Sequence, residues 1–372
     1  MRCDYFGRCG SCTLYDLDYE AQLQQKAEAI REMFGFGSTE PLEIVRSAPE
    51  RFRTRAEFRI YHNYDRGTIS YAMHGFAKGE IVPIAACGIV AAPIADRMQP
   101  MLEAISQNEM LRHRLYSVEF LSSSLGEVLV TLIYHKKIDE QWVAEARGLA
   151  ENLGIDLIGR SRGVKLVVTK SYIDERVEIE GRAYRYRLYD TGFTQPNTGV
   201  NIRMIEWVRR QISSDAADLL ELYCGHGNFT IPLANKFRKV LATEVSKRSI
   251  MSAKENAVAN RTENIAFVRL SAEELTEALQ QKRSFKRLEG VDLASYRFSH
   301  LFVDPPRAGL DADTRAFATR FENLIYISCN PLTLQRDLQQ LLHHFEIEAF
   351  ALFDQFAYTK HMECGVVLRK SV

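Results

Sequence analysis

After about residue 195 the chain keeps repeating one pattern: a short apolar run, closed by turn chemistry and followed by a helical stretch. Asp218-Leu-Leu-Glu-Leu-Tyr, Val240-Leu-Ala-Thr-Glu, Ala266-Phe-Val-Arg-Leu, His300-Leu-Phe-Val-Asp and Leu324-Ile-Tyr-Ile-Ser all follow it. Strands separated by helices are joined by crossovers, so the pattern predicts a mostly parallel, doubly wound α/β sheet. Two final strands, near 346–353 and 362–369, are expected to close it. Open sheets of this kind bind ligands at the carboxyl ends of their strands, so the residues leaving those ends carry the most information.

Upstream the texture differs. Tyr19 to Phe34 combines strong helix formers with apolar spacing, which predicts one amphipathic helix stopped by Gly35 and Gly37. From about Leu42 the period becomes two: Arg55–Tyr61, Thr68–Met73, Ser117–Leu121 and Val128–Tyr134 read as strands, the last two flanking a hairpin loop at 122–126. Helices are expected over 92–106 and 138–153, giving an α+β domain on an antiparallel sheet. The 372 residues thus divide into an N-terminal segment (1–40), a central domain (41–180) and the α/β domain (181–372). The longest apolar runs are far short of a membrane span, and no secretory pattern opens the chain, so a cytoplasmic protein is expected; a monomer is the expected state. Net charge is zero, which excludes a protein that coats nucleic acid by global charge and leaves room for a local basic face.

Three strand ends carry chemistry. Glu221-Leu-Tyr-Cys-Gly225-His-Gly227-Asn228 leaves a strand and opens a helix; its glycines let backbone approach a nucleotide, and Glu244, ending the next strand, is placed to accept from ribose hydroxyls. The acidic residue before the loop and the missing third glycine fit S-adenosylmethionine better than a dinucleotide. In Phe302-Val-Asp304-Pro-Pro-Arg307 two prolines force an extended exit and fix Asp304. Arg307 stands where amine-methylating enzymes carry an aromatic, which points away from an exocyclic amine. Tyr326-Ile-Ser-Cys329-Asn-Pro ends a strand on the same edge, and Glu363 precedes the last one.

These residues suit methylation of carbon 5 of uracil. That carbon is a poor nucleophile until a thiolate adds at carbon 6 and makes an enolate. Its proton must then leave before the thiolate is eliminated, a step suited to a carboxylate. Cys329 supplies the nucleophile and Glu363 the base, with Asp304 the candidate for orienting the base or the cofactor's amine.

The strings TQPN (194–197), LLELYCGHGNF (219–229), FVDPPRAGLD (302–311), YISCNP (326–331) and LFDQFAYTKHMECGVVL (352–368) resemble the family of RNA uracil-5-methyltransferases, as do FRTRAEFRIYH (52–62) and LIYHKKIDE (132–140). The resemblance is greatest to members acting on the T-loop uridine of tRNA. It implies a Rossmann-like S-adenosylmethionine-dependent methyltransferase domain beside an RNA-binding domain. By the same resemblance Gln195, Tyr223, Asn228, Glu244 and Asp304 are cofactor contacts, and Tyr116 and His135 stack on loop bases. Arg51, Arg55 and Arg59, in a stretch with six arginines and interleaved aromatics between Glu43 and Arg66, are expected to meet RNA as a group.

Cys3, Cys9 and Cys12, with Cys87 as a fourth, depart from the tRNA-type members. Four thiolates can hold a [4Fe–4S] cluster or zinc, and the spacing is similar to the iron–sulfur motif of members acting on ribosomal RNA. Ribosomal RNA is therefore the alternative substrate. A tRNA-folding role is a further alternative, while a radical methylase is disfavoured because its cysteines would be spaced Cys-x3-Cys-x2-Cys.

Overall fold

The computed structural model of the protein describes residues 1, 3–37, 41–213 and 216–371. Two large sheets organise it. The larger has eight strands, in spatial order Glu43–Val45, Phe345–Phe353, Glu363–Lys370, Asn323–Ser328, Phe298–Val303, Asp218–Leu222, Lys239–Thr243 and Ile265–Val268. The last five pair in parallel, and Glu363–Lys370 is antiparallel to both of its neighbours. The parallel strands are apolar along most of their length because both faces are covered. Leu219, Phe302 and Ile325 pack into one buried cluster, while Leu220, Leu301, Val303 and Leu324 pack into another on the opposite face.

The short strand Glu43–Val45 joins the edge of this sheet and not the central one. Helix Tyr19–Phe34 packs there too: Ala27 and Ile30 belong to the cluster beneath Leu334 and Leu338. Its limits follow from local chemistry. The Asp18 side chain accepts from Ala21 N at 2.8 Å, and Gly35 takes the left-handed φ of 70° that ends the helix.

The second sheet has seven strands: Ile81–Ile84, Thr68–His74, Arg55–Asn63, Leu115–Ser122, Val128–Tyr134, Asp156–Ser161 and Val164–Val167. It is antiparallel except for one parallel pair, Val128–Tyr134 with Asp156–Ser161, connected over helix Glu140–Leu153. Trp142 of that helix is buried against Tyr134, with ring centroids 5.6 Å apart. Helix Ala92–Gln107 covers the same face through Ile94, Met98, Met101 and Ile105.

A hairpin of Tyr172–Ile179 and Arg182–Tyr189 stands between the sheets and leads into the segment that reaches helix Thr198–Gln211. Asn197 caps that helix, accepting from Val200 N at 3.1 Å, and donates to Ser47 Oγ at 2.7 Å. Thr54 N also donates to Pro196 O at 2.8 Å. The TQPN turn is thus fixed against the start of the central sheet.

Candidate active site

Strands Asp218–Leu222, Phe298–Val303 and Asn323–Ser328 finish side by side, Leu222 opposite Val303 and Val303 opposite Tyr326. Glu363–Lys370 runs the other way and so begins where they end, with Ser328 paired to Cys364. Cys329 and Glu363 therefore stand one step beyond a paired position on adjacent strands, and Asp304 leaves the next strand along. All three line one cavity of about 1320 Å3 with Gln195, Tyr223, Asn228 and Glu244.

The turn after Cys329 is held tightly. Asn330 caps the following helix, accepting from Leu332 N at 3.2 Å, and its amide donates to Arg307 O at 3.0 Å. Thr333 Oγ1 donates to the same carbonyl at 3.2 Å. The nucleophile candidate and the Pro-Pro-Arg turn are consequently one structural unit.

Burial governs the electrostatics. It pushes the Cys329 thiol up to about 11, with Glu363 and Asp304 adding to the rise and the exposed Arg307 opposing it. Glu363 is buried and held well above the usual carboxylate range, first by burial and then by Asp304, again against Arg307. Burial raises Asp304 to about 7. Two carboxylates sharing a low-dielectric site cannot both ionise easily, so Asp304 adds to the rise that burial imposes on Glu363.

The glycine loop has the features a nucleotide cofactor requires. Tyr223, Gly225 and Gly227 all have positive φ, of 63°, 55° and 88°. The φ of Gly227 strains any L side chain, and a Cβ there would also meet Ile231 Cδ1 at 2.9 Å. Glu244 accepts from Gly225 N at 3.3 Å and from Ser246 N at 2.8 Å, which fixes its carboxylate at the cavity wall. Glu221 is buried with Oε2 unpartnered, and burial raises it to about 8. An orphaned acidic oxygen beside Asp304 fits the cationic end of S-adenosylmethionine, and Glu244 fits its ribose. Asn228 exchanges two amide hydrogen bonds with Asn201, at 2.8 and 2.9 Å, and Gln195 accepts from Gln355 Nε2 at 3.3 Å.

The residues expected to meet RNA separate. Arg59 lies over the Tyr116 ring at 4.0 Å, and Tyr116 stacks on His135 with centroids 3.9 Å apart, forming a three-layer stack. Arg55 is occupied elsewhere: it donates to Asp190 O at 2.8 Å and also to Gly192 O, bracing the segment before TQPN. Arg51 sits before the strand with φ 54° and is exposed. Of the three arginines, Arg59 joins the aromatic stack while Arg55 is turned toward backbone carbonyls.

Cys3, Cys9, Cys12 and Cys87 gather near one another. Burial pushes the Cys12 thiol up to about 12, and Cys87, Cys9 and Cys3 each add to the rise. Yet among the described residues no three His, Cys, Asp or Glu side chains are grouped to hold a metal ion. The side chains as they stand do not form the cluster site expected from their spacing.

Several lining residues carried too weak a signal in the sequence. Phe193, 71% exposed, stands at the cavity with Arg187 and Arg248. Phe356 also lines the cavity, and nothing in its spacing marks it as lining; Gln355 beside it reaches the site only through Gln195.

Residues 18–371 match the family model described as tRNA (Uracil-5-)-methyltransferase. A tRNA/tmRNA (uracil-C(5))-methyltransferase from Nitratiruptor sp. is 50% identical over 370 residues, covering all of both chains. Another, from Aliarcobacter butzleri, is 48% identical over 375 residues, covering all of this chain and 99% of the relative. The crystal structure of Pyrococcus abyssi tRNA (uracil-54, C5)-methyltransferase in complex with S-adenosyl-L-homocysteine shares the fold. It matches with a TM-score of 0.71 at 22% identity, over 97% of this chain and 86% of that one. Among the described residues no helix is long and apolar enough to cross a membrane. With a family model matched over almost its whole length and relatives at about half identity, the chain belongs to the tRNA (uracil-5-)-methyltransferase family.

Proposed function

We propose that this chain methylates carbon 5 of the T-loop uridine of tRNA through a covalent Cys329–uracil adduct that Glu363 resolves. The observation that carries the reading is the single cavity shared by Cys329, Glu363, Asp304 and the glycine loop. S-adenosylmethionine, when bound, supplies an electrophilic methyl group on a cationic sulfur.

Cys329 releases its proton to solvent and its thiolate adds to carbon 6 of the uracil, moving the ring's electron pair onto the carbon 5–oxygen 4 enolate. Carbon 5 then forms its bond to the methyl carbon as the methyl–sulfur bond breaks, its electron pair staying on the sulfur as a neutral thioether. Glu363, as carboxylate, takes the proton from carbon 5, and the electrons of that bond expel the Cys329 thiolate. The charge of Asp304 raises Glu363 further and so bears on how readily the base ionises. Arg307 is the cation that opposes protonation of both reacting groups.

The decisive experiment is Glu363→Gln. This variant is expected to transfer the methyl group and then stall, leaving a protein–RNA adduct that survives a denaturing gel. No adduct would remove Glu363 as the base.

The mutual influence of the four clustered thiols supports a second, structural element: binding of a [4Fe–4S] cluster, which needs the thiols drawn closer than they stand here. Anaerobically purified protein is then expected to contain iron and sulfide in equal amounts. Elemental analysis finding neither would defeat it.

A further inference from the structure

The strap of residues 354–362, between the last two strands, ends on Glu363, and it is held by side chains and backbone from the opposite end of the chain. Lys26 Nζ donates to Asp354 Oδ1 at 2.6 Å and to Phe356 O at 3.0 Å. Lys26 is 3% exposed and Asp354 1%. Tyr19 donates to Asp354 Oδ2 at 2.9 Å while accepting from Ser47 N at 2.7 Å. Gln22 Oε1 accepts from Tyr358 N at 2.6 Å, and Leu14 N donates to Tyr358 O at 3.0 Å. Tyr358 itself has φ 64°, a left-handed backbone that a tyrosine adopts only when its surroundings enforce it.

A buried ion pair adds little stability over an apolar pair of the same volume, because desolvation offsets the attraction. What it adds is fixed geometry. The strap it fixes also carries Phe356, which lines the cavity, and Gln355, which donates to Gln195. We infer that Lys26, Gln22 and Tyr19 are positioning residues for proton abstraction, acting through Asp354, Phe356 and Tyr358 to set where Glu363 stands. The inference rests on the proposed role of Glu363 as the base.

The test compares full-length Gln22→Met and the double variant Lys26→Met/Asp354→Asn with Glu363→Gln and the unaltered protein. The double variant leaves no unpaired buried charge, and Gln22→Met removes one hydrogen bond at nearly constant volume. Because small misplacements of a reacting group slow chemistry steeply, kcat is expected to fall at least about tenfold, with cofactor and T-stem-loop affinities within about twofold. The denaturing-gel adduct is expected to accumulate, as in Glu363→Gln. Folded variants with unchanged kcat would overturn the inference. So would a kcat loss that tracks lost affinity and lowered melting temperature with no adduct, the behaviour of a merely structural contact. Adduct in Glu363→Gln but in neither strap variant sinks the positioning role alone. If Glu363→Gln itself forms none, the base assignment fails, and an unchanged kcat in the strap variants then rejects the inference independently.

Discussion

The ionisation of Cys329 gives the sharpest quantitative expectation. With burial holding the thiol at about 11, only about one molecule in 3,000 carries the thiolate at pH 7.5. Forming it at that pH costs about 5 kcal/mol. The sign follows directly: the thiolate is the reactive form, so a raised pKa makes it scarce below that value, and each added pH unit increases it tenfold. Arg307 is the cation opposing the rise, and Arg307→Met is expected to make the thiolate scarcer still. The assay is alkylation of substrate-free protein with iodoacetamide between about pH 7 and pH 9.5, followed by mass spectrometry of the peptide containing residue 329. The logarithm of the rate should climb with unit slope and no plateau, and Arg307→Met should run parallel and below. A plateau in the ordinary thiol range, or an Arg307→Met protein that reacts as fast, would refute the electrostatic account of the site. The same ionisation should appear in kcat/KM, which reports essential groups of the free enzyme.

Cys329→Ala is expected to abolish methylation while cofactor binding by calorimetry stays intact, because in the proposed mechanism the thiol acts on uracil; retained turnover would sink the covalent mechanism. Glu244→Ala leaves two backbone N–H groups without their acceptor and removes the carboxylate from the cavity wall. Losing charge-assisted hydrogen bonds of about 1.5–3 kcal/mol should weaken cofactor binding roughly 10- to 100-fold, and unchanged calorimetric affinity would exclude the ribose role. Tyr116→Ala and His135→Ala should each weaken T-stem-loop binding by about 1–3 kcal/mol, the usual worth of a base stacked on an aromatic ring. An isolated T-stem-loop hairpin should be methylated at least as readily as whole tRNA, since it has no D-loop contact to break; an inert hairpin beside a methylated ribosomal fragment would move the substrate to ribosomal RNA.

The large sheet was legible because its parallel strands carry mostly apolar residues on both faces and are closed by turn residues. Asp218–Leu222 and Asn323–Ser328 start and stop within a residue of the predicted limits. The helices at 92–106 and 138–153 were legible for the matching reason, a stripe of apolar side chains at helical spacing. The cavity residues were legible because chemistry concentrates at strand ends: a thiol, a carboxylate and a glycine turn on one edge admit few reactions. Less visible were the short strand Glu43–Val45, whose three residues carry no period, and the hairpin 172–189, whose arginines and tyrosines alternate without a turn signal of the tightest kind. The role of Arg55 was illegible for a different reason. Its neighbours in sequence are RNA-facing in composition, but its partners are carbonyls more than 130 residues away.

That distance in sequence explains the rest. A lysine in a helix such as Tyr19–Phe34 reads as solvated, and an aspartate ending a strand reads as a turn residue. Only the fold brings Lys26 and Asp354 together, 328 positions apart, and removes both from water. Each polar partner in that contact carries an unremarkable local signal, while the contact itself constrains the backbone leading to Glu363. Tyr358 makes the same point through its backbone: no propensity predicts a left-handed tyrosine, and it persists because Gln22, Leu14 and Pro49 hold its amide, carbonyl and hydroxyl at once. The candidate reacting groups can thus be found from strand ends alone, whereas the contacts proposed to aim them are long-range and polar. Substitutions in helix Tyr19–Phe34, about 330 residues before Glu363, should for that reason change the chemistry more than the binding.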